Sequence, residues 1–248
     1  ILVDDLKAFR VRKVFTAGRL IAEDGRVLIP LDDAAAGAPS HSIHLKPLAE
    51  DALSLPVRTG KARVIGIEPA SLVTKSLVRE VKTDDAGCFQ SALNPGLTKI
   101  AVIERHKRTG KLGIGILEGY GLTGGAIATT ISHDSHNIVV AGDNDPDMLL
   151  AVRELADMGG GIVSVHGGAI RRLPLPIAGL MTSADPQEVN AVLHDMLVAA
   201  RAELGIPEDV EPFMTLSFMA LPVIPELKLT ARGLFNVNTF SFVGVEAD

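Results

Sequence analysis

The chain has 248 residues, of which 47% are hydrophobic, so it can bury the core of one large domain or of a domain with an attached piece. Its formal net charge of −6 argues against a general nucleic-acid-binding protein, and its single cysteine excludes an internal disulfide framework or a cysteine-based zinc site. No apolar run approaches the roughly 20 residues of a membrane-spanning helix, and the start lacks a signal-peptide pattern, so we expect a cytoplasmic protein.

Residues 1–30 are predicted to form a short β-meander. Apolar and basic side chains alternate over residues 9–15, as in a half-buried strand, and the pair Asp24-Gly25 is typical of a hairpin turn. A meander of this size is too small to be stable alone. The following residues, 31–45, are interpreted as a linker because Ala, Pro, Gly and Ser dominate their first part.

The remaining residues, 46–248, are predicted to form an α+β domain. Residues 99–104 and 112–117 are expected to pair as a β-hairpin, and the charged run 104–108 is interpreted as a solvated turn between them. Residues 69–82 fit either a helix or a strand, because their apolar positions are compatible with both periods.

A β-β-α pattern then occurs twice. The predicted elements are strand 126–131, strand 138–141, a helix opened by Asp145-Pro146, strand 162–165, a strand near 175–180, and a helix opened by Asp185-Pro186. Aspartate caps free N–H groups, and proline is tolerated at the first helical position. We therefore predict a duplicated β-β-α unit with helices on one face of a sheet, and βαβ units are the alternative.

The C-terminal part, after Gly205, is rich in proline. Residues 213–220 could form a buried strand, and residues 227–243 are interpreted as a tail that wraps the domain.

Five consecutive hydrogen-bonding side chains follow the first strand of the repeat: His133, Asp134, Ser135, His136 and Asn137. A turn needs only one or two polar residues, so this number exceeds what a turn requires. An imidazole beside a carboxylate can act as a general base or as a metal ligand. We take Ser135 as a candidate for substrate binding and the other four as candidate catalytic residues. An exposed polar turn is the alternative.

Two more residues are candidates for substrate binding. His166 ends a buried strand, where an imidazole could face a cleft, and a histidine bonded to backbone is the alternative. Glu118 precedes a glycine-rich segment that is not a phosphate-binding loop, because no Gly-Lys-Ser/Thr follows it, and a turn residue is the alternative. The sequence contains no complete catalytic motif of a known type.

Several stretches of the sequence resemble the C-terminal region of bacterial adenine deaminases, which belong to the amidohydrolase superfamily. They are GGAIATTISHDSHNIVVAGDNDPDM, GGGIVSV, PLPIAGLMT and LKLTARGLFNV. The stretch VRKVFTAGRLIAEDGRVL is similar to the strands that close the superfamily's composite β-sandwich. The resemblance implies terminal sandwich strands at 1–30 and an adenine deaminase C-terminal α/β sandwich at 46–248.

The resemblance also implies hydrolysis of adenine to hypoxanthine and ammonia, a reaction of purine salvage. A manganese or iron centre would activate the attacking water. In the family a His-x-His pair, a bridging carboxylate, two later histidines and an aspartate of a (β/α)₈ barrel bind the metal. This sequence has no His-x-His pair, so no metal ligand is assigned to it. We expect the barrel to lie in an N-terminal part outside this chain, and the chain alone to be inactive.

The implied partners are adenine, the protein's own N-terminal barrel and further copies in a homo-oligomer, with neither nucleic acid nor membrane. The polar turn could fold over the barrel mouth and narrow it or contact the base. One alternative is a non-catalytic module for assembly or interdomain packing. Another is a freestanding metal-binding protein that uses His133, His136 and His166.

Overall fold

The computed structural model describes residues 1–30 and 39–247, and the chain divides into two compact units, Ile1–Gly37 and Ala38–Asp248. Part of the predicted linker, residues 31–38, lies outside the described residues. The proposed assignment of 1–30 and 46–248 to two domains of an amidohydrolase stays a prediction.

The first unit is the expected β-meander. Its antiparallel strands are β1 (Leu2–Val3), β2 (Val11–Thr16), β3 (Arg19–Glu23) and β4 (Arg26–Val27). Asp24 and Gly25 connect β3 to β4 with φ values of 47° and 77°. Positive φ at both central positions is the backbone of a two-residue hairpin turn, which explains the Asp-Gly pair.

The second unit is an α+β structure built on a mixed sheet. Its strands are β5 (Lys61–Ile67), β6 (Thr74–Glu80), β7 (Leu97–Ile103), β8 (Leu112–Glu118), β9 (Gly125–Thr129), β10 (Ile138–Gly142), β11 (Gly161–His166), β12 (Ala169–Pro174), β13 (Leu227–Thr230), β14 (Gly233–Asn236) and β15 (Ser241–Phe242). Its helices are α1 (Asp145–Asp157), α2 (Pro186–Ala202) and α3 (Pro212–Phe218). No helix of the described residues is long and apolar enough to cross a membrane.

Eight strands form the main sheet in the order β12-β11-β9-β10-β7-β8-β5-β6. Neighbouring strands are antiparallel except β5 and β8, which are parallel. The predicted hairpin is confirmed as β7 and β8. The other three strands form a small antiparallel sheet in the order β13-β14-β15.

The repeated β-β-α order is present as β9-β10-α1 and β11-β12-α2. Each strand pair is antiparallel, and each helix starts with a capping side chain and a proline. Asn144 caps α1 by accepting a hydrogen bond from the Asp147 N–H at 2.9 Å. Asp185 caps α2 by accepting one from the Gln187 N–H at 2.7 Å. Both helices therefore begin at the predicted Asp-Pro pairs, but the residue that caps α1 is Asn144 and not Asp145.

The prediction that the helices cover one face of the sheet is wrong. Ala126, Ala128 and Val163 pack with α1, whereas Ile127 and Ile162 pack in a separate cluster with α2 and α3. Side chains of successive strand residues point to opposite faces, and every residue of β9 and β10 is buried. Both faces of these strands are apolar and therefore need a covering layer.

Two local predictions are also corrected, and one open alternative is resolved. The second strand of the second repeat is β12, which ends at Pro174, and the predicted strand at 175–180 is absent from its place because Pro176 interrupts it. The ambiguous segment 69–82 contains strand β6. The segment 213–220 forms helix α3 instead of a strand, since Pro212 occupies the first turn and Glu211 accepts a hydrogen bond from the Met214 N–H.

Candidate functional site

The candidate site is the polar loop, defined as residues 132–137, between the central strands β9 and β10. Both strands are fully buried, so the two ends of the loop are fixed by the sheet. The loop folds back on itself, because the His136 N–H donates to the Ser132 carbonyl at 2.6 Å. His136 has a φ of 46°, a left-handed conformation that is uncommon for residues other than glycine.

His133 connects the polar loop to helix α3. Its N–H donates to the Ser217 carbonyl at 3.1 Å, and its ring stacks on Phe218 with 4.6 Å between centroids. The Asp134 carboxylate lies 3.8 Å from Nδ1 of His133, which is longer than a hydrogen bond, and its side chain is 87% exposed. The structure therefore does not pair them as a general base and its orienting carboxylate.

An arginine that the sequence pattern placed in a solvated turn lies beneath the polar loop. Arg105 is 1% exposed, and its guanidinium donates to carbonyl oxygens of Ser42, His136 and Ala178 and to the Ser42 hydroxyl. Burial lowers the pKa of Arg105. Its position two residues after the end of the buried strand β7 is the only sequence signal that could have indicated this role.

Three buried polar atoms of the loop have no hydrogen-bond partner within residues 39–247: Ser132 Oγ, His136 Nδ1 and Asn137 Oδ1. Burial lowers the pKa of His136, and the nearby Arg105, His133 and His106 lower it further, while Asp134 opposes them. These surroundings favour the neutral form of the His136 imidazole. A neutral imidazole offers one donor and one acceptor.

An apolar groove of about 450 Å³ lies between the polar loop and helix α3. Its lining includes Ile131, His133, Leu193, Phe213, Met214 and Phe218. This volume falls within the range of small-molecule sites, and an apolar wall of this kind also suits side chains of a neighbouring domain.

The three candidates for substrate binding are placed differently. Ser135 lies in the polar loop, where its carbonyl contacts Nε2 of His106 at 2.8 Å. His166 contacts the Gly124 carbonyl through Nδ1 at 2.8 Å, which agrees with its alternative interpretation. Glu118 accepts two hydrogen bonds from Arg79, at 2.6 and 2.8 Å, so its carboxylate is already paired.

The structure also separates His166 and Glu118 from the polar loop. His166 pairs with Gly125 at the start of β9, whereas the loop follows its end. The five residues of β9 span roughly 13 Å from first to last, at about 3.3 Å per residue, and this length separates His166 from the polar loop. Glu118 pairs with Leu97 at the start of β7, and Ile138, which follows the loop, pairs with Ile103 at the end of β7. The freestanding metal site of His133, His136 and His166 therefore lacks support.

The part of the chain that the structure describes contains no group of three or more His, Cys, Asp or Glu side chains that could hold a metal ion. These residues do not fit a catalytic manganese or iron centre. No metal ligand is therefore assigned to them.

The family model described as the adenine deaminase C-terminal domain matches residues 71–241, which is more than half of the chain. The chain belongs to this family. The resemblance of the polar-loop stretch to adenine deaminases is thereby confirmed, since the match includes residues 132–137.

Curated relatives extend this adenine deaminase match to nearly the whole chain. The adenine deaminase of Nitratidesulfovibrio vulgaris strain Hildenborough is 57% identical over 246 residues, which cover 99% of this chain and 42% of the relative. Adenine deaminase 2 of Carboxydothermus hydrogenoformans is 45% identical over 249 residues, covering 99% and 43%. The adenine deaminase of Clostridium acetobutylicum is 40% identical over 245 residues, covering 98% and 43%. The chain thus spans less than half the length of these relatives.

Proposed function

We propose that this chain is the C-terminal region of a full-length adenine deaminase, which hydrolyses adenine to hypoxanthine and ammonia. The match to curated adenine deaminases over 99% of the chain carries the proposal. In the balanced reaction, water gives its oxygen to C6 of the purine, and the amino group leaves as ammonia. The family resemblance supports a barrel outside this chain that binds manganese or iron, a role in purine salvage, a homo-oligomer and a cytoplasmic location.

The polar loop is proposed to lie at the mouth of that barrel, where it narrows the entrance or contacts the base. The 45% exposure of the His133 side chain and its stacking on Phe218 support this role, because a fixed imidazole can hydrogen-bond a purine edge. The metal would supply an activated water when bound. The residues of this chain would orient the base and exclude water.

A chimaera tests the proposed activity. This chain would replace the aligned C-terminal region of the N. vulgaris relative, which is 57% identical to it. We expect the chimaera to form hypoxanthine from adenine with a kcat/KM within about tenfold of the parent, a difference of about 1.4 kcal/mol. The parent enzyme is the control. A folded chimaera that releases no ammonia from adenine would contradict the proposal.

A second candidate function is a non-catalytic module for assembly or interdomain packing. The apolar lining of the groove favours this function, and one of the lining side chains, Met214, is 57% exposed. Such surfaces commonly pack against another domain or subunit. The two functions differ in one measurable way: loop substitutions alter kcat or KM in the first and only assembly or stability in the second.

A further inference from the structure

Arg105 joins three segments that are distant in the sequence. Its Nε donates to the carbonyl of His136 in the polar loop. One terminal nitrogen donates to the Ser42 carbonyl at 3.2 Å and to its hydroxyl at 3.0 Å, and the other donates to the Ala178 carbonyl at 3.0 Å. Within residues 39–247 no carboxylate lies within ion-pair distance of this guanidinium.

A buried cation without a carboxylate is costly to desolvate, and here neutral acceptors offset that cost. The guanidinium is planar and presents five N–H donors in a fixed geometry, which a lysine ammonium cannot reproduce. Gly179 leaves the necessary space, because a Cβ at that position would lie 2.9 Å from the guanidinium. The surroundings of Arg105 are therefore shaped to its side chain.

We propose that Arg105 is the positioning residue of the polar loop: its guanidinium fixes the backbone at His136, and thereby the orientation of the loop that the candidate catalytic residues occupy. The carbonyl it binds belongs to the residue with positive φ, where the chain turns back towards β10. The importance of this role for the reaction rests on the proposed function, whereas the structural role does not.

The proposal has a spectroscopic signature at His136. The charged or titratable groups that face its imidazole are Arg105, His133, His106 and Asp134, and the cation of Arg105 disfavours the imidazolium form. Removing that charge should raise the pKa of His136. Burial, which is the larger cause, would still keep the pKa below its ordinary value.

The test uses the 248-residue chain with Arg105→Met, Arg105→Lys and the control Ile100→Val, which changes a buried residue of β7, the strand that ends two residues before Arg105. NMR would follow the His136 imidazole titration and amide exchange of residues 132–137. In Arg105→Met we expect a raised His136 pKa and loop exchange faster by at least about tenfold, because charged hydrogen bonds are lost. Arg105→Lys should speed exchange while the pKa stays low.

Loop exchange equal to that of Ile100→Val in both Arg105 variants would overturn the positioning role. If Arg105→Met does not fold, the exchange rates of Arg105→Lys decide the question in the same way. The kinetic arm uses the adenine deaminase chimaera, in which Arg105→Lys should reduce kcat/KM by more than Ile100→Val does. Equal kinetics would overturn the role in the reaction. An inactive parent chimaera would refute the proposed function while leaving the NMR result to decide the structural role.

Discussion

Among residues 1–30 and 39–247, three cationic side chains are almost fully buried, and each is stabilised differently. Lys99, 2% exposed, binds Asp145 and the Leu53 carbonyl. Arg105 binds the neutral acceptors described above. Lys228 is 0% exposed, and its Nζ donates to the Leu72 carbonyl at 2.9 Å. Burial lowers the pKa of Lys228 to about 8.

Lys228 should make stability depend on alkaline pH. Its folded-state pKa of about 8 lies below the ordinary 10.5, so the unfolded chain binds more protons between these values. The free energy of unfolding of the wild type should therefore rise with pH through this window, relative to Lys228→Met, by at most about 3 kcal/mol. Urea unfolding from pH 7 to 10.5 measures this difference.

The comparison with Lys228→Met removes the effects of other groups that titrate in the same range. An exposed lysine, Lys107, provides a matched control, since Lys107→Met should leave the pH dependence of the wild type unchanged. If the free energy of unfolding changes with pH in the same way in the wild type and in Lys228→Met, burial does not destabilise the Lys228 ammonium and the prediction fails.

At the scale of elements, short sequence patterns such as turn pairs, alternating apolar residues and Asp-Pro pairs predicted individual strands and helix starts. The Asp24-Gly25 turn, the β7–β8 hairpin and the Asp185-Pro186 helix start were all predicted in this way. The sequence did not predict which face of the sheet each helix covers. The strands β9 and β10 are apolar on both faces, so their pattern does not distinguish the two faces. Nor did it identify α3, whose short apolar run also fits a strand.

The candidate site was predicted only as a set of adjacent residues. The sequence located the polar loop through its excess of hydrogen-bonding side chains. It could not predict that His133 stacks on Phe218 or that Arg105 lies beneath the loop, since these contacts join residues far apart in the chain. The roles assigned to His133, Asp134, His136, Asn137 and Ser135 stay predictions.

The polar loop should contribute to turnover in the full-length adenine deaminase. We expect His136→Ala in the chimaera to lower kcat/KM by about tenfold or more, since it removes the imidazole from the turn of the loop. Asp134→Asn should have a smaller effect, because this exposed carboxylate does not hydrogen-bond His133. Steady-state kinetics with adenine measures both.

The exposed His194 on α2 serves as a matched control, and His194→Ala should leave kcat and KM unchanged. If His136→Ala and Asp134→Asn also leave both constants unchanged, the loop takes no part in the reaction. The packing module would then be the better account of this region.

At the scale of the whole molecule, the chain spans 42% of the N. vulgaris enzyme, and the residues that the structure describes offer no metal-binding group. We therefore expect the isolated chain to release no ammonia from adenine at any manganese concentration. A coupled ammonia assay measures this, and circular dichroism with thermal unfolding confirms that the sample is folded. Turnover by the isolated chain would contradict the assignment of catalysis to another part of the protein.

The placement of α1 and α2 on opposite faces has a practical consequence. A rotation that places β9 on the antiparallel strand β11, and β10 on β12, would leave α1 and α2 on the same face of the sheet. Since the two helices lie on opposite faces, no rotation superposes the two β-β-α units. The domain thus has two unlike surfaces, and the groove belongs to the one that carries α2 and α3. A fluorescent label on the outward side of α1 could report on folding while leaving that groove free for whatever docks there.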